Sequence, residues 1–275
     1  MDVSATPTVG SLFAGIGGFD LGFERAGFRT AWQVEIDPIC RAVLAERFPH
    51  AKQYEDVRSV GAGLERVDVI VGGFPCQDLS TMGKRRGLEG ERSGLFYEVI
   101  RIVSALQPRW LVLENVTGLL SCGHGRDFQA VISALAECGY VGFWRVLNAQ
   151  YFGIPTSRRR VFIVAGFHEH PPMELLADAA PMGAISGAEG APCGEAPFPT
   201  LLAGSSASQI DIQGSSLIAQ SNGWREMAER ARASDDHGLC LGLDATNFTE
   251  AHAAGNAVAP QVAAWIAGHL IKTME

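Results

Sequence analysis

The amino-acid sequence predicts an α/β fold: a doubly wound, mostly parallel sheet. Three observations predict it. Short β-branched apolar runs alternate with helical segments from Thr8 to Phe167. A glycine turn, Ala14-Gly15-Ile16-Gly17-Gly18, follows the first run, and an acid, Glu35, closes the second. At 275 residues and a mean hydropathy of +0.10, the chain can bury one large core and carry a small appendage.

The elements follow in order. Thr8–Phe13 reads as a first strand, and Phe19–Ala26 as a helix closed by Gly27. Thr30–Glu35 is a second strand. Glu35 lies twenty residues after Gly15, the spacing at which an acid grips ribose hydroxyls in dinucleotide-type folds. Position 20 is Asp, where a dinucleotide fingerprint wants a third glycine. Pro38–Phe48 reads as a helix, and Tyr54–Val57 places Asp56 near a third strand's end. That acid is either an acceptor for an adenine amino group or a surface turn acid.

Val67–Val71 reads as a buried strand, stopped by a Gly72-Gly73-Phe74-Pro75 turn that presents Cys76 at its carboxyl end. Ligands bind at that edge in open α/β sheets. A thiol so placed, followed by Gln77, Asp78 and Ser80, reads as a nucleophile; the alternative is a small buried core residue. Thr81–Ser93 holds glycines at 83, 87 and 90 and four cationic residues, the composition of a mobile lid. Leu95–Leu106 is an amphipathic helix. Trp110–Leu113 is a strand ending in Glu114-Asn115-Val116, with Glu114 either a site acid or a helix cap. Asp127–Cys138 is helical, and Val141–Asn148 and Val161–Phe167 are two more strands. Between them, Arg158 and Arg160 share a face if the chain is extended. After Phe167 periodicity fades, until Gly255-Asn256-Ala257-Val258-Ala259-Pro260 introduces a helix over Gln261–Ile271.

Composition narrows the function classes. No apolar run is long enough to span a membrane and the N-terminus lacks a signal pattern, so a cytoplasmic protein without membrane association is expected. The six cysteines form no CxxC pair, which predicts free thiols and no metal site. Net charge is −8, but Lys84-Arg85-Arg86 and Arg158-Arg159-Arg160 are basic clusters, and a local basic cleft can hold a polyanion. The alternative for each cluster is a solvated surface, which fits 84–86 better than 158–160, since the latter abuts an apolar strand.

Together these stretches resemble the DNA cytosine-5 methyltransferase family. The matching pieces, in family order, are Phe13–Gly18, Glu35, Asp56, Gly73–Gln77, Gly94-Leu95-Phe96, Glu114-Asn115-Val116, Arg158–Arg160 and Gly255–Val258. The resemblance implies a Rossmann-like methyltransferase sheet over residues 1–167, a small, reduced C-terminal target-recognition region over 168–250, and a segment over 251–275 that packs back on the catalytic domain. It implies S-adenosylmethionine as cofactor, with Phe13, Gly15, Gly17 and Gly18 at the turn, Glu35 at the ribose hydroxyls and Asp56 at the adenine amino group. Leu95, Asn256, Ala257 and Val258 would complete the pocket, and Ile36, Val57 and Pro75 would also bind the cofactor. It makes Cys76 the nucleophile toward carbon-6 of a flipped-out cytosine in double-stranded DNA, with Glu114, Arg158 and Arg160 as its catalytic partners. Ser80, Lys84, Arg85 and Arg86 would contact DNA. The implied setting is restriction-modification, a phage or an orphan enzyme.

The sequence departs from the family pattern in two places. Thr156 stands where members usually carry Gln, and residues 161–224 contain no Lys or Arg. Phosphate clamping there is therefore weak, which predicts a short or relaxed target site or a partner subunit that completes recognition. Two other function classes compete. A nicotinamide-dependent dehydrogenase explains the glycine turn and Glu35, but does not call for Pro75-Cys76 and Glu114 together. A non-catalytic binder, or one half of a two-part methyltransferase, explains the poor recognition region but not the intact Cys76, Glu114 and Arg158/Arg160.

Overall fold

A computed structural model describes residues 6–75, 94–154, 156–177, 198–199 and 257–274. Seven strands form one sheet: β1 (Thr8–Leu12), β2 (Arg29–Val34), β3 (Lys52–Tyr54), β4 (Val69–Gly73), β5 (Trp110–Val116), β6 (Tyr140–Asn148) and, after the two-residue β7 (Thr156–Ser157), β8 (Arg159–Phe167). Their order is β3-β2-β1-β4-β5-β8-β6. The β3-β2-β1-β4-β5 ladders are all parallel, and β8 runs antiparallel to both β5 and β6. The doubly wound, mostly parallel sheet expected from the sequence is what forms.

Both faces of the sheet are covered, so its strands alternate between two cores rather than between core and water. Leu111 and Leu113 face the core under α3 (Leu95–Leu106) and α4 (Arg126–Glu137). Trp110 and Val112 face the core under α1 (Gly18–Arg25) and a C-terminal helix, Pro260–Leu270. Helix α2 (Pro38–Arg47) is started by Asp37, whose Oδ1 accepts from the amides of Ile39 (2.8 Å) and Cys40 (3.1 Å). The short helix α5 (Glu174–Ala177) keeps the chain just past β8 on this body: Leu175 is buried in the second core, and Arg145 donates to its carbonyl at 2.9 Å. No helix among the described residues is long and apolar enough to cross a membrane.

At three strand ends near the site the boundary differs from the sequence expectation because a neighbouring strand extends the ladder. Gly72 and Gly73 do not stop β4; they stay in it, paired with Leu113 and Glu114. β5 does not end at Leu113, because β8 pairs with it as far as Val116, opposite Arg160. Glu114 is therefore a strand residue and not a helix cap. β8 likewise starts at Arg159 and not at Val161, since Asn148 of β6 pairs with Arg159.

The C-terminal helix, α6, reaches α1 across a very close approach. A side chain at Gly18 would collide with the Val258 carbonyl, and one at Gly22 with the Ala263 methyl and the Pro260 carbonyl. Small residues on α1 thus let residues 258–264 lie against the N-terminal half of the sheet, some 240 positions away in sequence.

Candidate active site

Two clusters lie at the carboxyl edge of the parallel strands. The first is the glycine turn after β1. Phe13, Gly15 and Gly17 all have positive φ (53°, 56° and 88°), so the chain reverses within five residues. Only glycine does this without strain, and Phe13 in that region marks a position the surroundings over-determine. Glu35, just past β2, holds the turn: its Oε2 accepts from the Gly15 amide at 2.7 Å and its Oε1 from the Asp37 amide at 2.8 Å. A carboxylate keeps acceptor capacity beyond those two bonds. Around Gly15 a Cβ would meet nothing within 4 Å, so the turn opens onto free space. Ile36 stands beside it, 62% exposed. Asp56 starts a 3-10 turn, its Oδ1 accepting from Arg58 N at 2.9 Å, with Val57 buried behind it. The turn-acid role is thus real, and it uses one carboxylate oxygen.

Beneath this turn lies a fully buried carboxyl, Asp20 of α1, facing Ser11 of β1 and Gln33 of β2. Burial pushes its pKa from 3.8 up to about 6; Gln33 and Ser11 soften the shift without reaching hydrogen-bonding geometry to its oxygens.

The second cluster forms where β4, β5 and β8 meet. Glu114 is buried and lies level with Gly73, three residues before Cys76. Arg160 Nε stands 3.1 Å from Glu114 Oε1, an ion pair whose N–H does not point along the line to the oxygen. Arg158 is buried beside them. Burial pushes the Glu114 carboxyl up, while Arg158 and Arg160 pull it back in part. Burial and the like charge of Arg160 pull the Arg158 guanidinium down to about 10, opposed by Glu114. The expectation that Arg158 and Arg160 work on one face is met: both line, with Glu114, a narrow cavity of about 10 Å³, the space of about one water centre.

Sequence reasoning missed three contributors. Asn115 donates to the Phe74 carbonyl at 2.8 Å and accepts from Val116 N, so it pins the end of β4 just before Pro75. The Glu-Asn-Val stretch was the signal, but not what the Asn does. Ala259 and Val262 of the C-terminal segment line the Glu114–Arg158–Arg160 cavity, and no local pattern announces that. Of the expected cofactor residues, Val258 packs on Gly18 of the turn, Ala257 packs against Ile16 and Cys40, and Leu95 begins α3. Pro75 is exposed just beyond β4. Cys76, Ser80, Lys84, Arg85, Arg86 and Asn256 lie outside the described residues.

Comparisons with known proteins bear on the family and the fold. The family model described as C-5 cytosine-specific DNA methylase matches residues 8–189. A type II methyltransferase of Bacillus subtilis, M2.BsuMI, is 38% identical over 165 residues, covering 58% of this chain and 42% of that protein. The chain spans about half the length of the curated relatives it matches. Among solved structures, a putative DNA modification methyltransferase encoded within an E. coli prophage superposes with a TM-score of 0.51 at 29% identity, over 59% of this chain and 47% of that one. The S. pombe Dnmt2 methyltransferase shares the fold over 98% of this chain and 99% of its own, with a TM-score of 0.69 at 13% identity.

Proposed function

Because the chain belongs to the C-5 cytosine-specific DNA methylase family, we propose that it transfers the methyl group of S-adenosylmethionine to carbon-5 of a flipped-out cytosine in double-stranded DNA. The observation that carries the reading is the buried Glu114, ion-paired to Arg160 and level with the strand end that leads to Cys76.

The glycine-turn cluster fits an adenosine-type cofactor. Glu35 has free acceptor capacity for ribose hydroxyls, Ile36 offers an exposed apolar side chain to the adenine face, and Asp56 keeps one carboxylate oxygen for the adenine amino group. Phe13, Gly15, Gly17 and Gly18 would let the backbone approach the methionine part, and Leu95, Ala257 and Val258, with Asn256 by the family resemblance, would close the pocket. S-adenosylmethionine supplies an electrophilic sulfonium methyl.

The remaining steps belong to this chain's side chains. Carbon-5 of cytosine is a poor nucleophile. The Cys76 thiolate adds to carbon-6, and the ring electrons shift so that carbon-5 becomes enamine-like. Glu114 bonds ring nitrogen 3 and the exocyclic amine where charge develops, and its upward-shifted carboxyl favours the protonated form that can donate to nitrogen 3. Arg158 and Arg160 fix that carboxyl and supply cationic donors near the base. After carbon-5 takes the methyl, it loses its proton to a base, the carbon-5–carbon-6 double bond returns, and Cys76 leaves as thiolate. A stacked base cannot reach these groups, so the cytosine must leave the helix. Ser80, Lys84, Arg85 and Arg86 would hold the DNA behind it. With no cation over residues 161–224, target choice is either short and relaxed or completed by a partner subunit.

Transfer of tritiated methyl from S-adenosylmethionine to unmethylated mixed-sequence DNA by the purified chain tests the reading, with bisulfite sequencing to locate the product. Label in DNA at carbon-5 of cytosine is expected. No label with DNA, in the presence of bound cofactor, would overturn it.

A further inference from the structure

Between Glu137 and Glu169 the chain carries no acidic residue, although its net charge is −8. That stretch holds Arg145, Arg158, Arg159 and Arg160. Arg158 is buried, and Arg160 is engaged with Glu114. Arg159 alternates to the other side of β8 from Arg160, is exposed, and enters no ion pair among the described residues.

At the same end of the sheet stands Tyr151, on the turn that begins one residue after Asn148, the β6 partner of Arg159. It sits on a 3-10 turn, Ala149–Phe152, that is tied down at several points. Ala149 N donates to the Arg158 carbonyl at 2.9 Å, and Ile154 N to the Ala149 carbonyl at 3.4 Å. Phe152 packs edge-on against Trp265 of the C-terminal helix, with ring centroids 5.6 Å apart. Gly153 closes the turn in the left-handed region. On this fixed turn Tyr151 is 50% exposed. Among the described residues, the other exposed aromatics, Tyr97 and Trp144, rest on Phe96 and Phe128 respectively. Tyr151 meets no other ring, and its hydroxyl finds no partner among the described residues. An uncovered aromatic on a tied-down turn, with an unpaired guanidinium at the same strand end, loses little freedom on binding and suits a partner that is both flat-faced and anionic.

We propose that Tyr151 and Arg159 form a contact surface for the nucleic-acid strand adjoining the target base, Tyr151 stacking on a neighbouring base or sugar and Arg159 meeting a phosphate. The proposal rests on the function above and extends it to two residues outside the cofactor and Glu114 clusters. The absence of acids along residues 138–168 favours a polyanion, and one uncovered ring is too small a patch for a protein partner.

Binding of a fluorescent duplex to the full chain, across a salt series, tests it. Tyr151→Ala should weaken binding roughly tenfold without changing the log–log salt slope, and Tyr151→Phe should bind as wild type. Arg159→Gln should flatten that slope by about 0.9. Melting temperature and S-adenosylmethionine affinity should stay at the wild-type level in all three. Wild-type DNA affinity in Tyr151→Ala, a full slope in Arg159→Gln, or a loss of affinity that tracks a loss of melting temperature overturns the surface. Methyl transfer by the wild-type chain separates the two ideas: transfer with unaffected variants removes only the surface, whereas no transfer to DNA removes the function and the surface with it.

Discussion

The two halves of the carboxyl edge are built on opposite principles. Around the glycine turn, the acid Glu35 is held by backbone amides, and the backbone itself makes the shape. Where β4, β5 and β8 meet, a carboxyl and two guanidinium groups are packed together away from water, and burial shifts Glu114 and Arg158. A site that must hold a ligand needs complementary geometry and satisfied hydrogen bonds. A site that must stabilise charge during a reaction gains from desolvated, pre-placed charges, whose field is stronger there than in water. The difference predicts that changes in the second half strike the chemical step, and changes in the first strike cofactor binding.

The sharpest test is Cys76→Ser. A hydroxyl is far less ionised than a thiol near neutral pH, so methyl transfer should fall to background while S-adenosylmethionine still binds. Substantial turnover by the serine protein removes Cys76 from the chemistry. Next in size, Glu114→Ala should lower kcat by about 10²–10³-fold, the range seen when one pre-placed donor to developing charge is lost, with cofactor affinity unchanged. A variant that instead lost cofactor affinity and kept kcat would erase the division between the halves.

The glycine-turn half carries its own buried charge, Asp20, and that gives a stability test. Its folded pKa, about 6, lies above the ordinary 3.8, so the folded state holds this proton more tightly than the unfolded chain does. The stabilisation is complete below about pH 4 and is lost as pH rises through about 6, a swing on the order of 3 kcal/mol. Asp20→Asn has no such proton to release. Its denaturation midpoint should therefore gain on that of wild type between pH 4 and pH 7. Parallel midpoint curves for the two proteins would show that Asp20 is not held in this way.

The smallest expected effect is Glu35→Ala. It should weaken S-adenosylmethionine binding by about 1–3 kcal/mol, through charged hydrogen bonds left unmade, while DNA affinity without cofactor barely moves. Calorimetry reads this directly, and unaltered cofactor affinity would make Glu35 only the clasp of the Gly15 turn.

Much of this was legible in the sequence because it is local. Glycines at 15 and 17 take positive φ for want of a Cβ, Glu35 follows its own strand at a fixed offset, and helix Leu95–Leu106 declares itself by periodicity. Arg158 and Arg160 could be placed on one face because extended chain alternates. What the sequence did not determine was which strand they would meet. Only the tertiary structure slots β8 antiparallel between β5 and β6, and that register alone sets Arg160 against Glu114, nearly fifty residues earlier. The same holds for Ala259 and Val262, which reach the Glu114 cavity because Gly18 and Gly22 let the C-terminal segment lie against α1. Local rules fix backbone shape within a few residues, whereas the meeting of distant charges follows from strand order, which is decided by burying both faces of the sheet at once.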